Sequence, residues 1–212
     1  MPPPTTTNDI IANSIQTLRD AITKTKANYG PNIPNTSYAT RRLLSEMKTE
    51  LQRIDEELQR GDHEYIPSII PLENNLQELV AAIPGPPATP YEGGIFYMRL
   101  SVPGEYPLKP PRVWFLTKVY HPNIGSEGKI CNDVLENEWG SVWTIHKVVI
   151  ALASLLASPS LDNSVVPEIA AQCMGENDRF ERTAREWTQR YATKEINPFN
   201  QKHDFDATSL LH

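Results

Sequence analysis

His121-Pro122-Asn123-Ile124-Gly125-Ser126-Glu127-Gly128-Lys129-Ile130-Cys131-Asn132-Asp133-Val134-Leu135 carries one of the two cysteines of the chain, with an asparagine eight residues before it. No helix or strand period runs through residues 121–129. Pro122, Gly125 and Gly128 punctuate the stretch, so its backbone is irregular. A thiol and an amide in an irregular segment between two apolar ones mark a place where chemistry usually sits.

Upstream, Phe96, Met98, Leu100 and Val102 alternate with Tyr97, Arg99 and Ser101, the period of a half-buried strand. Val113–Leu116 reads as a short buried strand. Ile66–Leu72 and Leu76–Ile83 read as two more, separated by a turn at Glu73-Asn74-Asn75. The Pro/Gly-rich segment 85–94 fits neither a helix nor an inner strand. Strands at this spacing imply an antiparallel meander.

Downstream, Thr144 is a good N-cap. Ile145, Val148, Val149, Leu152, Leu155 and Leu156 make a helix apolar on nearly all sides, hence central and buried. Ser158–Asn163 breaks it. Pro167–Met174 forms a short helix carrying Cys173. Asp178 is placed to cap a last helix with Phe180, Ala184, Trp187 and Tyr191 on one stripe.

At the other end, Leu44, Met47, Leu51, Ile54 and Leu58 stripe a helix from about Ser37 to Arg60, whose first turns expose Arg41, Arg42 and Lys48. Before it, Asn8 can cap a shorter helix with Ile11, Ile15, Leu18 and Ile22 on one face. That face either rests on the domain or seats in a partner's groove. Residues 1–7 read as disordered, and Gly30–Thr36 as a linker.

The 212 residues allow one ordinary domain with extensions, and 39% hydrophobic content supports one core. A net charge of −6 without a basic block argues against a nucleic-acid partner. No apolar run approaches the ~18 residues of a membrane span, and the first residues lack the regions of a secretory signal. Cysteines 42 positions apart offer no metal-ligand spacing and no disulfide framework. A reducing cytoplasmic or nuclear compartment and free thiols are therefore expected, and the chain is expected to be a monomer.

Cys131 is either a small buried hydrophobe or, given its polar neighbours Asn132 and Asp133, a nucleophile. Cys173 lacks such neighbours and reads as a hydrophobe. His121, beside a proline in a tight loop, reads as a hydrogen-bonding strut rather than a base. Asn123 either bridges loop backbone or turns its amide toward an oxyanion forming on an acylated Cys131. The two roles are compatible.

With these residues in view, the chain resembles the ubiquitin-conjugating enzymes. Gly85-Pro86, Thr89-Pro90-Tyr91-Glu92-Gly93-Gly94, Tyr106–Pro111, His121-Pro122-Asn123, Gly128–Cys131, Trp139 and Val166–Ala170 stand in that family's order and spacing. The final helix, Arg185–Ala192, resembles the ligase-promiscuous branch. The likeness covers residues 38–193 and makes them a catalytic core, with 1–37 an N-terminal extension holding a short amphipathic helix and a Pro-rich linker, and 194–212 a tail.

The resemblance implies an α+β fold: an N-terminal helix, a four-stranded antiparallel sheet, a central helix and two C-terminal helices. It implies that Cys131 accepts ubiquitin as a thioester from an activating enzyme and passes it to a lysine of a substrate protein with a ubiquitin ligase. No cofactor is required, because ATP is consumed upstream. It gives Asn123, Asp133, Asp162 and Asn163 catalytic roles around Cys131, with His121 and Pro122 structural at the site. Leu108, Lys109, Ser141 and Val142 match ligase contacts. Arg41, Arg42 and Lys48 match activating-enzyme contacts, and Ile150 and Ser154 match the helix face that meets conjugated ubiquitin. Two departures stand out: Asn132 replaces the family's apolar residue after the cysteine, and uncharged Asn163 aligns with its acidic gate, next to Asp162. A non-catalytic binding module of the same fold and a carrier of another ubiquitin-like modifier are the alternatives.

Overall fold

The computed structural model describes residues 7–29, 37–60, 67–72, 75–130 and 139–193. The expectations for the N-terminal Pro/Thr segment up to residue 6, the 30–36 linker, Ile66, the 73–74 turn and the 194–212 tail lie outside these residues. Nine elements follow in order: helices α1 (Thr7–Tyr29) and α2 (Tyr38–Arg60), strands β1 (Ser68–Leu72), β2 (Asn75–Pro84), β3 (Ile95–Ser101) and β4 (Arg112–Phe115), then helices α3 (Ile145–Ala157), α4 (Pro167–Gly175) and α5 (Asn177–Tyr191).

The strands form one antiparallel sheet in sequence order. Its register aligns Ile69, Ala81, Met98 and Phe115 in a row across all four strands. All four are buried, together with Leu43, Met47, Val148 and Leu152 from the helices. The period-two pattern of β3 thus faces the helical layer, as alternation requires. The opposite face is not simply solvated: Val80, Ala82, Ile95 and Tyr97 form a second apolar cluster with Leu72 and Leu116. Tyr97 is therefore buried, where alternation alone assigned it to solvent. Edge strand β1 contains Pro71. On the opposite margin, β4 is bridged at Trp114 by Lys129.

The helix α1 begins at Thr7, so Asn8 lies in its first turn rather than ahead of it. Its stripe does not face solvent. Leu18, Ala21, Ile22 and Thr25 are buried against the domain and Ile15 packs on the same core; α1 lies on α2 and β1. Ile11 is outside the described side chains. Arg19 reaches Asp55 of α2 at 3.5 Å, a largely exposed pair that contributes little.

Thr144 caps α3, its side chain accepting from the Lys147 N–H (3.2 Å). The helix is less enclosed than its composition suggests, because Lys147, Ile150 and Ser154 are exposed along one side. Asp178 lies inside α5 rather than at its cap; Glu176 occupies the cap position without a side-chain capping bond, its carboxylate pairing with Arg179 instead (3.1 Å). The α5 C-terminus is tied to β3 by the Ile95 N–H bonding the Ala192 carbonyl (2.8 Å). Between α2 and α3, buried Glu50 receives two bonds from Arg53 (2.7 and 3.1 Å) and lies 3.1 Å from His146 Nδ1. Burial alone would raise the Glu50 pKa, but His146 and Arg53 outweigh it and hold it below the usual range.

Among the described residues, no helix is long and apolar enough to cross a membrane. None of their groups of His, Cys, Asp and Glu could hold a metal ion.

Candidate active site

The 121–130 segment is irregular but tightly fastened. His121 is fully buried; its Nδ1 accepts from the Asn123 N–H (3.0 Å), so Nε2 carries the proton and donates to the Leu155 carbonyl (3.0 Å). Burial pushes its pKa down to about 4, against a partial opposing effect of the Leu155 bond. A neutral imidazole with both nitrogens occupied is a strut, not a base. The Pro122 carbonyl accepts from the N–H groups of Val165 (2.8 Å) and Val166 (2.9 Å).

Asn123 is also fully buried. Its Nδ2 donates to the carbonyls of Ser160 (2.6 Å) and Asn163 (3.0 Å), and its Oδ1 accepts from the Ser160 N–H (2.9 Å). Both amide protons are committed, to a different loop rather than its own. Asn123 thus clasps the 158–166 loop, which carries Asp162 and Asn163 with exposed side chains.

Beyond Asn123 the chain turns. The Gly125 N–H bonds the Lys129 carbonyl (2.9 Å), and the Gly128 N–H bonds that of Gly125 (2.9 Å). Gly128 has φ +76°, and a Cβ there would lie 1.8 Å from the Phe115 carbonyl oxygen, so only glycine fits. Its own carbonyl accepts from the Phe115 N–H (2.8 Å), pinning the turn to β4. Ile130, buried, is bridged to Ile124. Cys131, Asn132 and Asp133 lie outside the described residues.

Cys173, the other thiol, is half-buried in a cleft of about 240 Å³ beside Tyr91, Leu161 and Phe180. Burial raises its pKa, which leaves less thiolate.

The remaining positions fall into separate surfaces. Leu108 is 80% and Val142 74% exposed, on loops that Trp139 ties together by donating Nε1 to the Pro107 carbonyl (2.9 Å). Lys109 and Ser141 are exposed beside them. Arg41 and Lys48 are exposed on α2, whereas Arg42 turns inward, its Nε to Glu46 and its Nη2 to the Trp143 carbonyl (3.0 Å). Ile150 is 39% exposed rather than core, and the Ser154 hydroxyl donates to its carbonyl (3.0 Å). The fasteners of the loops, Ser160, Val165 and Val166, act through backbone groups and leave no side-chain signal. Glu46 does leave one, the i,i+4 spacing from Arg42.

The sequence pattern of the ubiquitin-conjugating enzyme family matches residues 46–188. Among solved structures, the chain is similar to one described as a candidate ubiquitin conjugating enzyme from Plasmodium yoelii. Identity is 36%, over 75% of this chain and 98% of that one, with a TM-score of 0.64. It is also similar to the conjugating domain of a Toxoplasma gondii ubiquitin conjugating enzyme, at 32% identity over 70% and 99%, TM-score 0.59. The family implies a transferase that works with ubiquitin, an activating enzyme and ligases in general. The four-stranded antiparallel sheet and the helices agree with these matches, and the chain belongs to the ubiquitin-conjugating enzyme family.

Proposed function

We propose that this protein is an active ubiquitin carrier, with Cys131 as the acyl acceptor. The Cys131 thiolate attacks the carbonyl of the activating enzyme's ubiquitin thioester, and that enzyme's thiol leaves and takes up a proton. A substrate lysine amine then attacks the Cys131 thioester. The C–S bond breaks, an isopeptide bond forms, the amine proton is released and the thiol is regenerated. Both steps exchange one activated acyl bond for another product, so no cofactor enters.

A free lysine of pKa ~10.4 is neutral in only about one molecule in a few thousand at pH 7. Desolvation and nearby acceptors can recover up to about 4–5 kcal/mol. Asp162 and Asn163, exposed on the loop held by Asn123, are the acceptors we assign. Asp133 assists from the acceptor's own segment. Asn123 acts first by holding that loop. Donation to an oxyanion, worth ~3 kcal/mol, requires one of its protons to leave the Ser160 or Asn163 carbonyl.

The observation that carries this reading is the clasp itself. It fastens the loop bearing Asp162 and Asn163 to a segment that ends in Ile130, the residue before Cys131. The second reading, a non-catalytic module, is favoured by the uncharged Asn163 and by the full engagement of the Asn123 amide. Incubation with activating enzyme, ATP and ubiquitin decides between them. A reducible adduct is expected, kept in Cys173→Ser and replaced by a reduction-resistant ester or lost in Cys131→Ser. No adduct on the wild-type chain would leave only the module.

A further inference from the structure

The exposed tips Leu108 and Val142 stand on two loops, each turned by its own backbone bonds. A carboxylate on α2 joins both loops to the start of α3. The Glu46 side chain is 9% exposed. Its Oε1 accepts from the Tyr106 hydroxyl (2.8 Å) in the first loop and from Arg42 Nε; its Oε2 accepts from the N–H of Ile145 (2.8 Å), the first residue of α3. That N–H is one of the donors a helix N-terminus leaves unsatisfied, and Thr144 already serves another. Arg42 in turn donates Nη2 to the Trp143 carbonyl in the second loop (3.0 Å). The circuit closes through Trp139, whose ring lies 6.0 Å from Tyr106 and 6.1 Å from Trp143 and whose Nε1 bonds the Pro107 carbonyl.

We propose that Glu46 is a positioning residue for partner docking: one carboxylate fixes Arg42, the residue matched to the activating enzyme, in register with the two loops beside it, so that the activating enzyme seats on α2. The assignment rests on the function proposed above. Glutamate is the fitting residue because three donors converge from three elements on its two oxygens. Glutamine keeps an acceptor for Ile145 but turns an N–H₂ toward Arg42, whose guanidinium can only donate. Alanine leaves all three donors without their partner.

The test is steady-state charging of the full chain by activating enzyme, ubiquitin and ATP, with this protein's concentration varied, together with unaided discharge of pre-charged protein to free lysine. For Glu46→Ala, KM for charging should rise about 10-fold, with kcat and unaided discharge within about 2-fold of wild type. For Glu46→Gln and for Tyr106→Phe, KM should rise about 3-fold. A merely destabilised protein would instead lose active concentration, so discharge amplitude would fall with it. If Glu46→Ala fails to fold, the other two variants carry the test. An unchanged KM in the folded variants, with the wild type charging normally, overturns the role of Glu46 alone. A wild type that never charges overturns the proposed function and this assignment together.

Discussion

Asn123 shows how much one side chain can hold. Three hydrogen bonds join it to Ser160 and Asn163, all to backbone groups. The chemistry of an amide made it a visible candidate in the sequence. Its partners were not visible, because a backbone carbonyl at position 160 looks like any other. Asn123→Ala should still charge but discharge to lysine on the order of 100-fold more slowly, and lose about 2 kcal/mol in urea unfolding from the orphaned loop carbonyls. Equal discharge rates would remove Asn123 from the mechanism. His121 makes a second residue-level case. It stays neutral in the folded chain down to about pH 4, whereas its ordinary value is 6.5. Between those values the unfolded chain binds the extra proton. The stability His121 contributes is therefore fully present above pH 6.5 and falls by on the order of 3 kcal/mol as the pH drops to about 4. Urea unfolding at pH 7 and pH 4.5 should show a smaller acid loss in His121→Gln than in wild type. Equal losses would assign the titration elsewhere.

At the scale of elements, periodicity carried most of the reading. The stripes of α2, α3 and α5 and the alternation of β3 place these elements within one or two residues of their observed bounds, since a buried face repeats with the backbone. Two features escaped. Tyr97 counted as polar in an alternating pattern, yet its ring is large enough to close a second apolar cluster. The side of α3 at Lys147, Ile150 and Ser154 is open because nothing in the described residues packs there, which composition does not encode. The face of α1 could be read two ways, and burial of Leu18, Ala21 and Ile22 resolves it toward the domain. Leu18→Ala should cost about 2–4 kcal/mol of stability, as a cavity in a closed core does, with the kcat for charging unchanged. A loss below ~1 kcal/mol would mean that α1 is only loosely seated.

For the molecule as a whole, surfaces of different kinds are held apart by one α+β frame. The loop tips Leu108 and Val142, the basic residues of α2 and the Ile150 side of α3 lie on distinct elements, while the fastened 121–130 and 158–166 loops form the centre. Shared motifs made this general plan legible, because they are loops with glycine, proline and aromatic requirements that few other folds impose. Of the ties that Glu46 makes, only the i,i+4 spacing to Arg42 was legible; the bond to the Ile145 N–H was not, since it joins residues about a hundred positions apart through a main-chain group. The sheet's margins have a practical corollary. Pro71 removes a donor from one border strand, and the 128–129 turn occupies the opposite border beside Trp114 and Phe115. An incoming strand from another copy finds a broken template on either side, so concentrated solutions of the purified chain resist fibrous self-association through this sheet.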